Sequence, residues 1–223
     1  SESIASIFGS AMATTTQSAA ATPLPTTLAN TSVRVRDSAG NESLAPLFFV
    51  SPAQINLLIP AGAANGASIF TVIKSDATAP SGAIQIASVA PAIFSANANG
   101  QGVAAGVALR VRSNGSRSFE PIAQFDVARN MSVSVPIDLG PATDEVFLVL
   151  FGTGFRRLGS PSSAVVRIGG MDLPALYAGA QGSFEGLDQI NVKLPNELAG
   201  RGEVEVEFKA DGHAANVVNI NIR

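Results

Sequence analysis

A seven-residue phrase occurs twice in this chain, and the repeat constrains the fold more than any other feature. Gln54–Pro60 reads QINLLIP, and Gln189–Pro195 reads QINVKLP, 135 positions later. The residues around the two copies recur in the same order: Ile7–Ser10 with Leu150–Thr153, and Val33–Val35 with Val166–Ile168. Such a repeat indicates one structural unit written twice.

Short alternating segments dominate the chain and predict strands. Glu203–Phe208 reads EVEVEF, which is typical of a strand with one solvated and one buried face. The Asp211-Gly212 pair then predicts a hairpin, with Val217–Ile222 as the return strand. No segment keeps a 3.6-residue apolar period long enough for a helix. We therefore predict an all-β fold of two immunoglobulin-like β-sandwiches from an internal duplication.

The repeat also predicts domain boundaries. The 223 residues suit two domains of about 100 residues each, and we expect one sandwich over residues 1–94 and the other over residues 141–223. Residues 95–140 have no counterpart in the repeat. Strand patterns there flank the Asn114-Gly115 turn, and Ser132–Ile137 reads as a third strand. We predict a three-stranded β meander that links the two sandwiches.

The copies differ most in the segment Thr14–Thr31, which is low in complexity and contains Pro23 and Pro25. This composition predicts a long surface loop between the first two strands. Its counterpart, Arg156–Ser163, is much shorter. Function should lie where the copies disagree, so this loop is the first candidate contact surface.

The repeated phrase has a structural interpretation. Its apolar residues in the first copy fall on one face of a strand: Ile55, Leu57 and Ile59. Gln54 and Asn56, like Gln189 and Asn191, alternate outward or reach backbone groups at a sheet edge. The final proline ends the ladder because it has no N–H. We expect these four polar side chains to satisfy backbone groups and to bind no ligand.

Further motifs surround the phrase. In the second copy they are Phe151-Gly152-Thr153-Gly154, Val166-Arg167-Ile168-Gly169-Gly170, Ala175-Leu176-Tyr177-Ala178-Gly179 and Gly186–Pro195, and the first copy adds Phe49–Asn56 and Ala90–Phe94. Over nearly the whole chain these motifs resemble a large uncharacterised family of bacterial domains at the C-terminal ends of exported proteins. Each unit also resembles IPT/TIG-type immunoglobulin-like modules. The resemblance implies a sandwich pair outside the cytoplasm, secreted or at the cell surface, and implies no catalytic residue.

One departure separates the copies. Where the second has Gly154, the first has Ala11, so we expect that the backbone geometry allowed by Gly154 is not needed in the first domain. The chain starts with Ser1, from which we expect that it was processed or cut from a longer protein.

Residue types that carry catalysis form no recognised pattern. The chain has no cysteine, which excludes disulfides and thiolate sites. His213 is the single histidine and follows a predicted hairpin turn, and no Gly-x-Ser-x-Gly elbow is present. A solvated loop histidine is the favoured interpretation. We predict no catalytic, cofactor-binding or metal-binding residue and no cofactor.

Carboxylates are the remaining candidates for metal binding or acid–base catalysis. Asp37–Glu42 and Glu185–Asp188 gather oxygen ligands that could bind calcium, but neither matches the EF-hand loop, and turns capped by Asx side chains are favoured. Other acids are adjacent or share one solvated strand face: Asp144, Glu145, Glu203, Glu205 and Glu207. A glycosidase needs two acids across a cleft, so a surface role is favoured for these.

Charge and aromatic content narrow the class of partner. Fourteen basic and seventeen acidic residues give a formal charge of −3, which argues against nucleic acid as a binding partner. The only candidates for phosphate contact are arginines: Arg34, Arg36, Arg110, Arg112, Arg117, Arg156 and Arg157. The chain has no Trp, and its one Tyr, Tyr177, falls in a predicted core strand; the twelve Phe are also expected mainly in the core. No apolar run reaches the ~20 residues of a membrane span.

These observations favour a non-catalytic extracytoplasmic module with a structural, adhesive or protein-interaction role, as the C-terminal part of a larger exported protein. The expected partners are other domains of that protein, or an extracellular protein or glycan. The alternative is a carbohydrate-binding module attached to a glycan-active enzyme. The oligomeric state stays open, since exposed edge strands can pair with another chain.

Overall fold

The computed structural model of the chain describes residues 1–74 and 78–223. Nearly all regular elements in these ranges are β-strands, and the helical elements described are two 3₁₀ turns, Pro161–Ser163 and Asn196–Leu198. The predicted all-β class is therefore confirmed. The chain divides into two compact units, Ser1–Ser88 and Val89–Arg223.

The first unit is built from two antiparallel four-stranded sheets. Its strands are β1 (Ile4–Phe8), β2 (Gln17–Ser18), β3 (Thr31–Arg36), β4 (Glu42–Leu44), β5 (Leu47–Val50), β6 (Gln54–Leu58), β7 (Gly66–Lys74) and β8 (Thr78–Ile86). The sheet orders are β1-β6-β5-β2 and β4-β3-β7-β8. Inward side chains of both sheets form one core, among them Val33, Val72, Leu47 and Leu57.

The second unit contains the remaining strands. They are β9 (Ala92–Ile93), β10 (Gly106–Val111), β11 (Arg117–Pro121), β12 (Ala123–Asp126), β13 (Met131–Ser134), β14 (Glu145–Thr153), β15 (Ala164–Ile168), β16 (Met171–Pro174), β17 (Tyr177–Ala180), β18 (Asp188–Leu194), β19 (Gly202–Ala210), β20 (His213–Ala214) and β21 (Val218–Ile222). One sheet has the order β11-β10-β14-β18-β17, with β9 also paired to β14. The other is β16-β15-β19, with β20 and β21 paired to β19, and β12 pairs only with β13.

The core of the second unit follows the alternation read from the sequence. Val206 and Phe208 of β19 are buried, whereas Glu203 and Glu205 on the same strand are exposed. Phe208 packs edge-to-face on Phe155, with ring centroids 5.0 Å apart, an arrangement that aromatic quadrupoles favour. The prediction of one wet and one buried face is confirmed here.

Both copies of the repeated phrase occupy the same position in their sheets. The first forms β6, between β1 and β5, and the second forms β18, between β14 and β17. The register also agrees: Phe8 lies opposite Gln54, and Phe151 lies opposite Gln189. Strand β1 of the first unit therefore corresponds to β14 of the second.

Residues 95–140 differ from the predicted three-stranded meander. They form four strands in two hairpins, β10–β11 and β12–β13. The Asn114-Gly115 turn was correctly predicted, and Gly115 has a φ of +81° there. Strand β12 escaped the sequence reading because Gln124 and Phe125 are both exposed, so the strand shows no alternation.

Residues 89–139, here called the cover segment, belong to the second unit. Several of its apolar side chains lie in that unit's core: Val89, Ile93, Ala104, Ala108, Ile122, Ile137 and Leu139. Strand β10 pairs with β14 on the side opposite β18, and bridges join Val103 to Asn219 and Ile137 to Ile222 on β21. Asn216 donates to the Ile93 carbonyl and accepts from the Ile93 N–H, both at 2.9 Å. The cover segment therefore closes the side of the sandwich between β14 and β21.

The segment Thr14–Thr31 is mostly exposed, as predicted, but it is not a plain loop. It contains β2, which pairs with β5 at the edge of the sheet. Leu28 is buried in the core of the first unit, and Gln17 Oε1 accepts a hydrogen bond from the Ala29 N–H at 2.6 Å. These contacts anchor both ends of the segment to the sandwich.

Candidate functional site

The polar side chains of the repeated phrase bind each other. Gln54 Nε2 donates to Asn56 Oδ1 at 2.7 Å, and Gln189 Nε2 donates to Asn191 Oδ1 at the same distance. The expectation of backbone partners at a sheet edge is wrong, because β6 and β18 are interior strands. Residues two apart lie on the same face of a strand, so the longer Gln reaches the Asn. The buried Ile55, Leu57 and Ile59 confirm the predicted apolar face.

The first carboxylate loop is held together by Asp37. Its Oδ1 accepts from the N–H groups of Ala39 and Asn41, and its Oδ2 accepts from Asn41 Nδ2 and the Ala64 N–H, all between 2.9 and 3.1 Å. These bonds, above all the one from Ala64, hold the pKa of Asp37 below its ordinary value of 3.8. Asp37 therefore caps a turn, as the sequence predicted.

This arrangement predicts the acid sensitivity of the first unit. A carboxyl whose pKa is lowered by folding stabilises the protein above its ordinary pKa, and that stabilisation is lost as the pH falls through the folded pKa. The Asp37→Asn variant should have a lower thermal midpoint at neutral pH. Its midpoint should also fall less than that of the native chain between about pH 5 and pH 2.

Circular dichroism melts across this pH range would measure the difference, with Glu42→Gln, on the strand that follows the turn, as the control. Parallel pH curves for the native chain and Asp37→Asn would contradict the assignment. Since both Asp37 oxygens already accept N–H donors, added Ca²⁺ should leave the native midpoint unchanged.

The second carboxylate loop differs from the local Asx turn predicted for it. Asp188 is fully buried. Its Oδ2 accepts from the Phe155 N–H at 2.9 Å and the Arg156 N–H at 3.1 Å, and its Oδ1 accepts from Arg156 Nε at 2.7 Å. Arg156 also donates to the Leu187 carbonyl at 3.0 Å. The carboxylate thus fixes the distant loop that follows β14, and both of its oxygens are engaged.

Two of the remaining candidate acids form ion pairs with different basic residues. Asp144 is 3.6 Å from the buried Arg110, whereas the neighbouring Glu145 pairs with Lys193 at 2.6 Å. His213 is exposed on β20. Asp211 accepts hydrogen bonds from the Ser163 hydroxyl and from the Gly159 N–H, the latter at 2.9 Å, and these bonds lower the pKa of Asp211. Within residues 1–74 and 78–223, no group of three or more His, Asp or Glu residues could hold a metal ion.

Several arginines considered for phosphate contact are paired with acids. Arg110 makes a bidentate ion pair with Glu120, at 2.8 and 3.1 Å, which raises the pKa of Arg110 and lowers that of Glu120. Arg34 is 3.7 Å from Glu42, and Arg156 pairs with Asp188. These pairs neutralise the charge that a phosphate backbone would need.

The aromatic residues divide between core and surface. Phe70, Phe155 and Phe208 are buried, as expected. Tyr177 was wrongly placed in the core: it is 42% exposed, lies opposite Asn191 on β18 and donates its hydroxyl to the Ala180 carbonyl. Four Phe are also exposed: Phe8, Phe119, Phe125 and Phe184.

The outer face of the β14 sheet carries an apolar row. The register places Val107, Val149, Asn191 and Tyr177 in one line across the strands. A parallel line contains Phe119, Leu109 and Phe147. This face of the second unit combines aromatic rings with amide side chains.

An apolar cleft opens in the first unit between the edge strands β1 and β8. This β1 cleft has a volume of about 190 Å³. Its apolar lining comes from both sheets and includes Ala5, Ile7, Met12, Leu57, Phe70 and Ile84. Phe8 stands beside it with 72% of its surface exposed. The cleft is the side of the first sandwich that corresponds to the side closed by the cover segment in the second.

Backbone groups line the same opening. Within the described part of the chain, β1 pairs with β6 only. The Gly9 N–H donates to the Ala53 carbonyl, and the Ser3 carbonyl accepts from the Ile59 N–H, so the odd-numbered residues of β1 face β6. Because backbone groups alternate in direction along a strand, the N–H and C=O of Ser6 and Phe8 face the open edge.

The sequence analysis missed this opening, because an open edge depends on which strands become neighbours and not on the local sequence of β1.

The backbone expectation for Ala11 is also wrong. Ala11 has a φ of +52°, and Gly154 has a φ of +85°. Both copies therefore use the left-handed conformation at the loop that follows the first strand of the repeat, and the first copy adopts it with a residue that has a Cβ.

No family model matches the sequence, and no curated protein matches it. None of the helices in the described ranges has the length and apolar character needed to cross a membrane.

Proposed function

We propose that the chain is a non-catalytic protein-interaction module, the extracytoplasmic C-terminal part of a larger exported protein, and that its two units arose by duplication of an immunoglobulin-like domain. The motifs around the two phrases, with their resemblance to a family of exported bacterial domains, support the location and the ancestry. The equal register of β6 and β18 with their neighbours supports the duplication.

The β1 cleft is the observation that carries the interaction role. Apolar cavities with an open mouth are the usual place where soluble proteins bind partners. In contrast, the loop carboxylates Asp37 and Asp188, considered as calcium ligands, are engaged in holding turns and loops. The apolar lining of the β1 cleft suits an apolar partner.

A matched pair of variants tests this role. Ile84 lines the β1 cleft and is 42% exposed, whereas Ile69 on the neighbouring strand lies outside it and is 48% exposed. The native chain, immobilised, would be used to isolate a binding protein from the exported fraction of its source, which is then purified and titrated. Ile84→Lys should weaken binding by about tenfold or more, because it places a charge at an apolar contact.

Ile69→Lys should bind like the native chain. Equal affinity of all three proteins would place the contact elsewhere, and removal of residues 16–27 would then test the Thr14–Thr31 segment. If no saturable protein partner is found, the interaction role is wrong.

A second candidate function is carbohydrate binding, and the outer face of the β14 sheet favours it. Tyr177 and Phe119 are exposed there, and Asn191 supplies an amide between the apolar residues. Sugars stack on such rings and bond to such amides. A glycan array on the native chain and on Tyr177→Ala would decide: binding of one polysaccharide class that depends on Tyr177 would support this alternative.

A further inference from the structure

The second unit shows what fits the open edge of the first. Strand β14 corresponds to β1, and in the second unit its outer edge is occupied by β10. The correspondence extends to single residues: Ala5 lies opposite Leu57 as Leu148 lies opposite Val192, and Ser6 lies opposite Asn56 as Val149 lies opposite Asn191. The pairing of β10 with β14 therefore shows how a strand can occupy the edge that is open at β1.

Backbone bonds at the filled edge define what is vacant in the first unit. The Phe151 N–H donates to the Ala105 carbonyl at 3.0 Å, and the Phe151 carbonyl accepts from the Phe94 N–H at 2.9 Å. Phe8 stands at the position of Phe151, with its N–H and C=O directed to the same side of the sheet. An added strand would satisfy these groups and those of Ser6.

Strand β1 also lacks the features by which proteins protect exposed edges. Edge strands are usually blunted by charged residues or proline. Three other edge strands of this chain carry them: Glu42 on β4, Arg117, Glu120 and Pro121 on β11, and Asp172 and Pro174 on β16. The shorter edge strands β2 and β17 carry neither. Strand β1 reads IASIF and carries neither.

On the basis of the proposed interaction role, we propose that β1 is the acceptor for an extended strand of a partner polypeptide, which pairs antiparallel to β1 and inserts alternate side chains into the β1 cleft. The pairing in the second unit indicates the direction of the partner strand, because β10 runs antiparallel to β14. This mode of recognition is β-augmentation, in which backbone bonds give affinity and pockets for alternate side chains give specificity.

The lining of the cleft defines the chemistry of the inserted side chains. In the second unit, β10 points Gly106, Ala108 and Arg110 inward, and the charge of Arg110 is tolerated there because Arg110 pairs with Glu120 and Asp144. None of the described residues that line the β1 cleft carries a charged side chain. A charge buried there would have no partner among these residues, so the inward residues of the partner strand must be apolar.

The first experiment uses a synthetic peptide with the sequence of residues 104–112 in which Arg110→Leu replaces the charged inward residue of β10 by an apolar one. The peptide is titrated into the native chain, and amide hydrogen exchange is followed by NMR. We expect saturable binding and slower exchange of the Ser6 and Phe8 amides. A second peptide that also carries Ala108→Lys should bind about tenfold more weakly or worse.

A proline at position 6 isolates the backbone contribution. The Ser6 N–H faces away from β6, so Ser6→Pro removes an outward donor without removing a bond to β6. It also removes the hydroxyl that donates to Asn56 Oδ1 at 2.8 Å, and Ser6→Ala is the control for that loss. We expect Ser6→Pro to abolish peptide binding and Ser6→Ala to retain it, with unchanged circular dichroism in both.

Three outcomes would overturn the proposal. The first is undiminished binding to Ser6→Pro, and the second is unchanged exchange at Ser6 and Phe8 in the presence of saturating peptide. The third is a monomer–dimer equilibrium of the native chain, by sedimentation, that Ser6→Pro abolishes, because β1 would then serve a second copy. If Ile84→Lys still weakens binding of the purified partner while Ser6→Pro leaves that binding unchanged, strand pairing is wrong and the interaction role stands.

Discussion

Replacing Asp188 by Ala is expected to lower the free energy of unfolding of the second unit by about 3–5 kcal/mol. The carboxylate is fully buried and accepts three hydrogen bonds, two of them from Arg156. Its removal leaves a largely buried guanidinium without its counter-charge and the Phe155 N–H without an acceptor. Each of these two groups would stay buried without the partner that Asp188 provides, so the variant bears the full free-energy cost of their desolvation.

The measurement is urea denaturation with hydrogen exchange read by mass spectrometry, so that each unit is followed by its own peptides. The first unit is an internal reference, because Ala53 stands at the position that Asp188 occupies in the second copy. Asp172→Ala, at an exposed ion pair with Arg167, is the control and should change stability by less than about 1 kcal/mol. A loss of that small size for Asp188→Ala would contradict the assigned role.

Replacing Gly154 by Ala should destabilise the second unit by about 3 kcal/mol. Gly154 has a φ of +85°, and a Cβ built on it would lie 2.0 Å from the Ala90 carbonyl oxygen. That oxygen belongs to a backbone segment held by the bond from the Ala90 N–H to the Gly154 carbonyl at 2.8 Å. The clash cannot be relieved by a change of rotamer, so the backbone must move.

The reverse substitution in the first copy is the matched control. Ala11→Gly relieves the strain of an alanine in the left-handed conformation, which raises the free energy of unfolding. The glycine also has more conformational entropy in the unfolded chain, which lowers it. We expect the two effects to leave stability within about 0.5 kcal/mol of the native value. Thermal and urea melts of both variants would measure this asymmetry, and equal losses at the two positions would contradict it.

The parts of the fold that were predictable from sequence are those in which one strand carries its own signal. The alternation in Glu203–Phe208 identified a half-buried strand, and the Asn114-Gly115 pair identified a hairpin. Ile55 and Leu57 were correctly placed on an apolar face. In each case the pattern is local, since strand periodicity and turn geometry depend on neighbours in sequence.

Features that depend on which strands become neighbours were missed. Tyr177 sits in an apolar run, but the register turns it to the outer face opposite Asn191. Arg156 and Asp188 are 32 residues apart, and nothing in either local sequence indicates their ion pair. The open edge of β1 is likewise a property of sheet order. The candidate site could be located only after β14 was found to have a second neighbour.

The cover segment has a consequence for the timing of folding. It is synthesised before β14 and β21, the two strands whose edges it joins, so it has no sheet to complete when it leaves the ribosome. Its bonds to Asn216 connect residues 123 positions apart, and such distant contacts slow the folding of a domain. The first unit can complete its two sheets once residue 86 has emerged, whereas the second cannot be sealed until translation has nearly ended.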